Sequence, residues 1–595
     1  MTKGVWIRRS SDALYFFFVN FQLNIEMDHL AQSKRRSDCT ADEVVGNPSE
    51  TETEIGEMDH LVQSEKGNPR EIATQNEEMD RISQLPEFIV HRILSFLHVP
   101  HVEIVRMSVL SKTWFHLTAC FPVLDFNILY FEPQRHNFFK YVEYTTSRYC
   151  HHNLTAHTFK LVTTLQEPAD LDIVYRCVDL VLNKGVQELM IFVMNPLNRF
   201  RLPDTLLSVS MLKSLIIESC ELPSSLMADV VRFKSLIRLE LANVPIDDEA
   251  IKYLATSCPL LQEFHIHTCY GFKRFCIYGH QNLKKVVISG KTQVERIDID
   301  APNLSTLSFG DTYRIEAPLV NLASCKKLTT VTYCGNPLPN SYGFIGFLSN
   351  FPFIENLILV TKYKCNNLKW SSRSLRILVL RSDCDLEEIE FSAPNLALFI
   401  YACDYNLLWP IIMNERWLRL RDSPYLKSCM QCYPGHIGAL WFQKLRRFLD
   451  KENGYKVLNL YIRATCSQEL TELEKLKAIE LPPYELEHLE LQLDELSAHV
   501  AFVDALLWCC RPRSLALRSF FNLPAFEKQS NVIKFTYKKL LEQEDEGHTR
   551  IQIVWSSSSE AQKQLRDLKS LSMATPRGGN TVTFLKEEVF QEEAG

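Results

Sequence analysis

Few residues in this 595-residue chain are spaced for chemistry. Cys429-Met430-Gln431-Cys432 has the spacing of a metal or redox pair, and His436 lies close. A structural zinc site normally shows a second matched pair, and a redox CxxC normally sits in a strand–helix–strand context; neither is evident. Buried or merely exposed thiols remain the alternative. Cys509-Cys510 follows Trp508 in an apolar run and reads as core. His265 and His267 flank Ile266 and therefore point to the other face of any strand that buries it, as exposed repeat side chains. Phosphate loops, dinucleotide fingerprints, nucleophile elbows and zinc-protease helices are absent from the sequence. A non-catalytic chain without metal or cofactor is expected.

Composition narrows the class. An apolar fraction of 46% with 23% charged residues is that of a folded protein too long for one core. The net charge of −7 gives no electrostatic footprint for nucleic acid. Eighteen cysteines in a long chain read as free thiols of a reducing compartment, which predicts a cytoplasmic or nuclear protein. The apolar run Leu14–Val19 follows Lys3, Arg8 and Arg9, but Asn20, Gln22 and Asn24 break it. It is too short to span a bilayer and lacks a small-residue cleavage site, so no membrane association is expected.

Residues 1–78 read as a disordered extension rich in Glu, Ser, Thr and Asn. It contains a duplicated segment: Glu26-Met27-Asp28-His29-Leu30 returns as Glu57-Met58-Asp59-His60-Leu61 and, diverged, as Glu78-Met79-Asp80-Arg81-Ile82. Residues 1–26 share nothing with it, so Met27 is a candidate for the native start.

Residues 79–125 predict a small three-helix unit. Leu85-Pro86 opens it, with Pro86 suited to a first helical position. Ile89, Ile93, Leu94 and Leu97 fall on one stripe. A second short helix runs through Ile104, Val105 and Met107, and Ser111 is placed to cap a third that carries Trp114.

Residues 150–520 predict a leucine-rich-repeat array. Leu212-x-x-Leu215-x-Ile217, Leu236-x-x-Leu239-x-Leu241 and Leu261-x-x-Phe264-x-Ile266 recur 24 and 25 residues apart, trailed by Cys220, Asn243 and Cys269. Later copies centre on Val286, Leu307, Val331, Leu357, Leu378, Phe399 and Leu489. Ile297 and Ile389 interrupt this period, each followed by an Ala-Pro-Asn-Leu segment. They sit too close to their neighbours for one parallel sheet, so they are expected on the convex side of 21-residue coils, with Ala-Pro-Asn turning the corner. Asp298 then leaves the concave binding face, where Glu240, His265 and Glu490 remain. Around Ile246–Leu254 the convex side reads helical. Residues 405–455, with Trp409, Trp417, Tyr433 and Trp441, read as an irregular insertion, and 521–595 as a cap and loose tail. The expected fold class is α+β multidomain: a three-helix module, then a solenoid of mixed α/β and β/β coils.

Leu85-Pro86, Ile93-Leu94-Ser95-Phe96-Leu97 and Ser108-Val109-Leu110-Ser111-Lys112-x-Trp114 together resemble the F-box of plant F-box/LRR-repeat proteins, including the FBD-associated group. Leu486–Leu491 and Ala505–Pro512 resemble that family's C-terminal region. Thr113 departs from the Arg common there, and the His98–Val102 connection is slightly longer. The resemblance implies a substrate-recognition subunit that docks a Skp1-like adaptor, and through it a cullin, and binds a target protein on the repeat surface. Leu85, Pro86, Ile89, Ile93, Leu94 and Leu97 would then supply much of the Skp1-facing surface. Val105, Val109, Leu110 and Trp114 would complete it or hold the helices together. A scaffold or receptor that delivers no target for degradation is the alternative.

Overall fold

In a computed structural model of the chain, three short helices lead into a long parallel β-ladder. The structure describes residues 82 and 85–588 apart from 97–100, 132–134, 152–153, 155, 195–198, 228–232, 292, 312–317, 336–352, 362–367, 382–385, 387–388, 403–428, 434–436, 438, 452–453, 463–481, 494–498, 520–525, 545–548, 558–562 and 566–578. The repeated leader within 1–78, Leu97, Trp409, Trp417 and His436 lie outside the described residues. Among the described residues no helix is long and apolar enough to cross a membrane.

Helices α1 (Glu87–Phe96), α2 (His101–Met107) and α3 (Lys112–Ala119) pack around Val90, Leu94, Ile104, Leu117 and Phe121. Ser111 caps α3 by accepting the N–H of Trp114. Val123 at the start of the first ladder strand packs against the same core. Arg81–Gly595 forms one compact unit, so the helices are not a separate body from the ladder.

Among the described residues the main sheet has nineteen strands. It begins at Val123–Asn127, ahead of the expected array at 150–520, and continues with Thr158–Thr163. These first strands are separated by α4 (Arg135–His151), and α5 (Pro168–Asn183) leads to the next, Glu188–Val193. Parallel pairing then runs through Ser214–Glu218, Arg238–Ala242, Glu263–His267 and Lys285–Ser289. The predicted repeat centres fall opposite one another: Leu215 on Leu239, Leu239 on Phe264, Val286 on Leu307, Leu357 on Leu378 and Leu378 on Phe399. They are buried, as are the residues two further along, because alternation sends both to the core.

Each early strand ends the same way. Ser219, Asn243, Thr268 and Gly290 take left-handed φ values of 57°, 52°, 50° and 99°; the first three donate their N–H to the next strand's last carbonyl, and Gly290 donates to Gly310 O. Asn243 therefore matches Ser219 and Thr268, and the residue in register with buried Cys220 and Cys269 is Val244. The sequence grouping of Asn243 with the cysteines is one position out.

Behind the main sheet, Arg274–Ile277, Arg296–Ile299 and Leu319–Asn321 form a second parallel sheet, and Leu368–Ser371 pairs with Ile389–Ser392 in another. Ile297 and Ile389 thus leave the main ladder, as their spacing requires. Asn303 and Asn395 of the two Ala-Pro-Asn corners each donate Nδ2 to the preceding coil's backbone, at Gln281 O and Arg373 O, both 2.7 Å. Helix α6 (Asp248–Ser257), capped by Asp247, takes the place of a back strand earlier.

The described part of the predicted insertion, from Cys429 on, belongs to the array. Cys429–Tyr433 joins the ladder between Leu398–Ala402 and Val457–Ile462, and α7 (Ala439–Lys451) buries Phe442, Leu445 and Phe448. Tyr484–Leu493, α8 (His499–Cys509) and Cys510–Ser519 continue the parallel array. Beyond α9 (Phe526–Glu542), Gly579–Glu588 pairs antiparallel with Cys510–Ser519 on one side and Thr549–Ser557 on the other. A large part of the expected tail is therefore a β-structured end cap.

Candidate functional surfaces

The helical unit has a small core and much exposed apolar surface. Leu94 is among its buried residues, so it holds the helices together and is out of a partner's reach. Trp114 and Ile89 are half-buried, Trp114 against the core. Leu85, Pro86, Ile93 and Val105 are exposed, and Val109 and Leu110 protrude from the α2–α3 turn at 84% and 67% exposure. Phe88 (69%), Phe96 (70%) and Phe115 are exposed too, residues the sequence reading omitted. Their signal was available: large aromatics on α1 and α3 that lie off the stripe buried by Val90 and Leu94.

Along the ladder, the face opposite the core changes character from strand to strand. Near its start it is charged. Arg238 Nη2 donates to Glu240 Oε2 at 2.7 Å, His265 Nδ1 approaches the same oxygen at 3.5 Å, and His267 Nε2 lies 3.8 Å from Glu240 Oε1. Ser289 Oγ is 2.7 Å from His267 Nδ1. Against burial, which raises a carboxyl, His265, His267 and Arg238 hold Glu240 down to about 2. Burial pushes the His267 imidazole down to about 4, and burial with the neighbouring Glu240 charge pushes Glu218 up to about 7. The histidines do sit opposite Ile266, but His265 and Glu240 are buried rather than exposed. Asp298 lies on the back sheet, paired with Arg296.

Further along, the same face turns apolar, with Ile358, Val360, Val379, Ile400 and Ala402 buried and Tyr433 stacked on Tyr461 at 4.4 Å. At the far end Arg518 pairs with Glu490 at 3.2 Å. Cys429 belongs to this face and Cys432 to the core face, since alternation places residues three apart on opposite sides. One ion or one disulfide cannot join them. Burial pushes the Cys429 thiol up to about 12. Cys509 and Cys510 are buried core residues.

A family model of the LRR repeats of FBD-associated F-box protein At5g56370 matches residues 174–341, which include the register pairs from Leu215 to Leu307. The chain is similar to plant F-box/LRR-repeat proteins. It is 27% identical to F-box/LRR-repeat protein 25 of Arabidopsis thaliana over 237 residues, covering 39% of this chain and 85% of that one. It is also 27% identical to putative F-box/LRR-repeat protein At5g02930 over 38% of its own length and 44% of the relative's. With FBD-associated F-box protein At3g52670, also from Arabidopsis thaliana, it shares 29% over 305 residues, 49% of this chain and 68% of the relative. The names of these F-box/LRR-repeat relatives agree with the repeat array described.

Proposed function

We propose that the chain is the substrate-recognition adaptor of a Skp1–cullin–F-box ubiquitin ligase, working in the cytoplasm or nucleus. The observation that carries this reading is the exposed apolar set on α1–α3, headed by Val109, Leu110, Phe88 and Phe96. Apolar side chains grouped on so small a unit mark a protein-binding surface, and a helical Skp1-like partner would bury them. The ladder's second face would hold the target. The chain itself would perform no chemical step; it raises the target's effective concentration beside the ubiquitin-charged enzyme.

Co-purification of the full chain with a Skp1-like adaptor and cullin tests the first half. Association in the wild type that is lost in Leu85→Ala/Pro86→Ala is expected; no wild-type association defeats the reading. The second half requires a partner whose ubiquitination depends on this chain. A partner that binds yet keeps the same half-life with and without the chain would favour a non-degradative scaffold instead.

A further inference from the structure

The charged group on the ladder's second face is separate from the adaptor surface on α1–α3 and does not depend on it. Glu240 and His265 are direct cross-strand partners, and His267 pairs with Ala242 one step along. One donor atom from each of Glu240, His265 and His267 can be chosen so that all lie within 4.8 Å of one another. In a tetrahedral zinc site with bonds of about 2.0–2.1 Å, donor atoms sit about 3.4 Å apart. His265 Nδ1 at 3.5 Å from Glu240 Oε2 and His267 Nε2 at 3.8 Å from Glu240 Oε1 are close to that spacing, on two adjacent paired strands.

Two observations point to a ligand. His265 is only 6% exposed, yet its Nε2 makes no hydrogen bond. It lies 3.7 Å from Glu263 Oε2, outside hydrogen-bond range. A buried polar atom left so is costly, and turning the His265 ring so that Nε2 instead of Nδ1 faces Glu240 would let a bound ion complete it. The second is orientation: the Ser289 hydroxyl at His267 Nδ1 fixes that ring and leaves Nε2 turned toward Glu240, the arrangement of an outer partner that aims a metal-binding imidazole. Arg238 occupies Glu240 Oε2, which leaves Oε1 on the His267 side.

We propose that Glu240, His265 and His267 bind one divalent transition-metal ion, zinc by preference. Two imidazoles and one carboxylate are a borderline donor set suited to zinc over magnesium or calcium. Three protein ligands leave a fourth position for water or for a donor from a protein seated on this face.

The test uses the full chain stripped with a chelator. Zinc is titrated in competition with a chromogenic chelator, and Co2+ serves as the spectroscopic probe. Expected are one tight equivalent and visible Co2+ bands without thiolate charge transfer, which separates this site from the cysteines. His265→Asn and His267→Asn should each weaken binding at least ten-fold, the double variant should abolish it, and Cys429→Ser/Cys432→Ser should leave it unchanged. Circular dichroism and melting confirm folding of every variant; the two single variants are read separately, so either one that folds decides the matter. No saturable equivalent, binding that survives both single substitutions, or a thiolate band overturns the proposal.

Discussion

Ser111 Oγ accepts the backbone N–H of Trp114 at 3.1 Å, closing the first turn of α3. Removing this cap by Ser111→Ala should cost about 1 kcal/mol, a roughly five-fold loss of amide protection across Lys112–Ala119 by hydrogen exchange. Ser111→Asp, which caps equally well, should restore it. Equal exchange in wild type and Ser111→Ala would remove the cap from the account.

Leu94 and Val109 should separate folding from docking. Leu94→Ala opens a cavity in a five-residue core and should destabilise the helical unit by about 2–5 kcal/mol, seen as accelerated limited proteolysis. Val109→Lys alters a side chain that is 84% exposed, so the melting curve should stay within about 0.5 kcal/mol of wild type. Capture of a Skp1-like adaptor should nevertheless fall. If both variants lose capture only in proportion to proteolysis, Val109 is not a contact.

Gly290 has a different sensitivity. A Cβ there would meet Thr268 Cγ2 at 2.5 Å and Thr268 N at 2.8 Å, on a backbone at φ +99°. Gly290→Ala should destabilise the repeat by about 1–3 kcal/mol, measured as faster amide exchange in Glu263–His267 and Lys285–Ser289.

The end cap should respond to acid. Arg511 Nε and Nη2 donate to the two Glu544 oxygens at 3.2 and 2.9 Å, and Lys586 Nζ donates to Oε1 at 2.6 Å. Burial alone would raise the Glu544 carboxyl, but Arg511 and Lys586 outweigh it and hold it below its usual value. A depressed carboxyl contributes stability above its unfolded pKa and loses it as pH falls through the folded one. Glu544→Gln should therefore weaken the cap by about 1–2 kcal/mol at pH 7, with the difference from wild type shrinking once the pH falls below the usual carboxyl value of about 4.3 and vanishing only below the depressed folded value. A difference independent of pH would mean shape, not charge, decides it.

Cys429 and Cys432 should be inert in the folded chain. Both are at most 2% exposed, and burial keeps the Cys429 thiol protonated. Iodoacetamide at pH 8 should modify them only after denaturation. Rapid labelling of either residue in the native protein would contradict their placement.

Val286 and Leu307 could be paired from the sequence alone because a parallel ladder repeats its buried positions at a fixed interval, and the shortened intervals at Ile297 and Ile389 could only be met by a second sheet. Val123–Asn127 and Thr158–Thr163 escaped notice for the converse reason. Helices α4 and α5 stretch the interval there, so no period links those strands to the rest. Cys429–Tyr433 was hidden in the same way between long connections. The Glu240–His265–His267 group was visible only as separate surface residues. Strand alternation gives the face correctly, but which side chains meet across strands, and how deeply, depends on a register that one strand does not contain.

The passage from α3 to the ladder is three residues long. Phe121 is buried in the helical core, the Pro122 carbonyl accepts the N–H groups of His157 and Thr158, and Val123 packs against that core while starting the first strand. The linkage acts as a spacer of set length rather than a tether. If a Skp1-like adaptor grips α1–α3, a protein held on the ladder is presented at one distance and one angle, and the lysines within range of the transferring enzyme are selected by geometry before any local sequence preference can act.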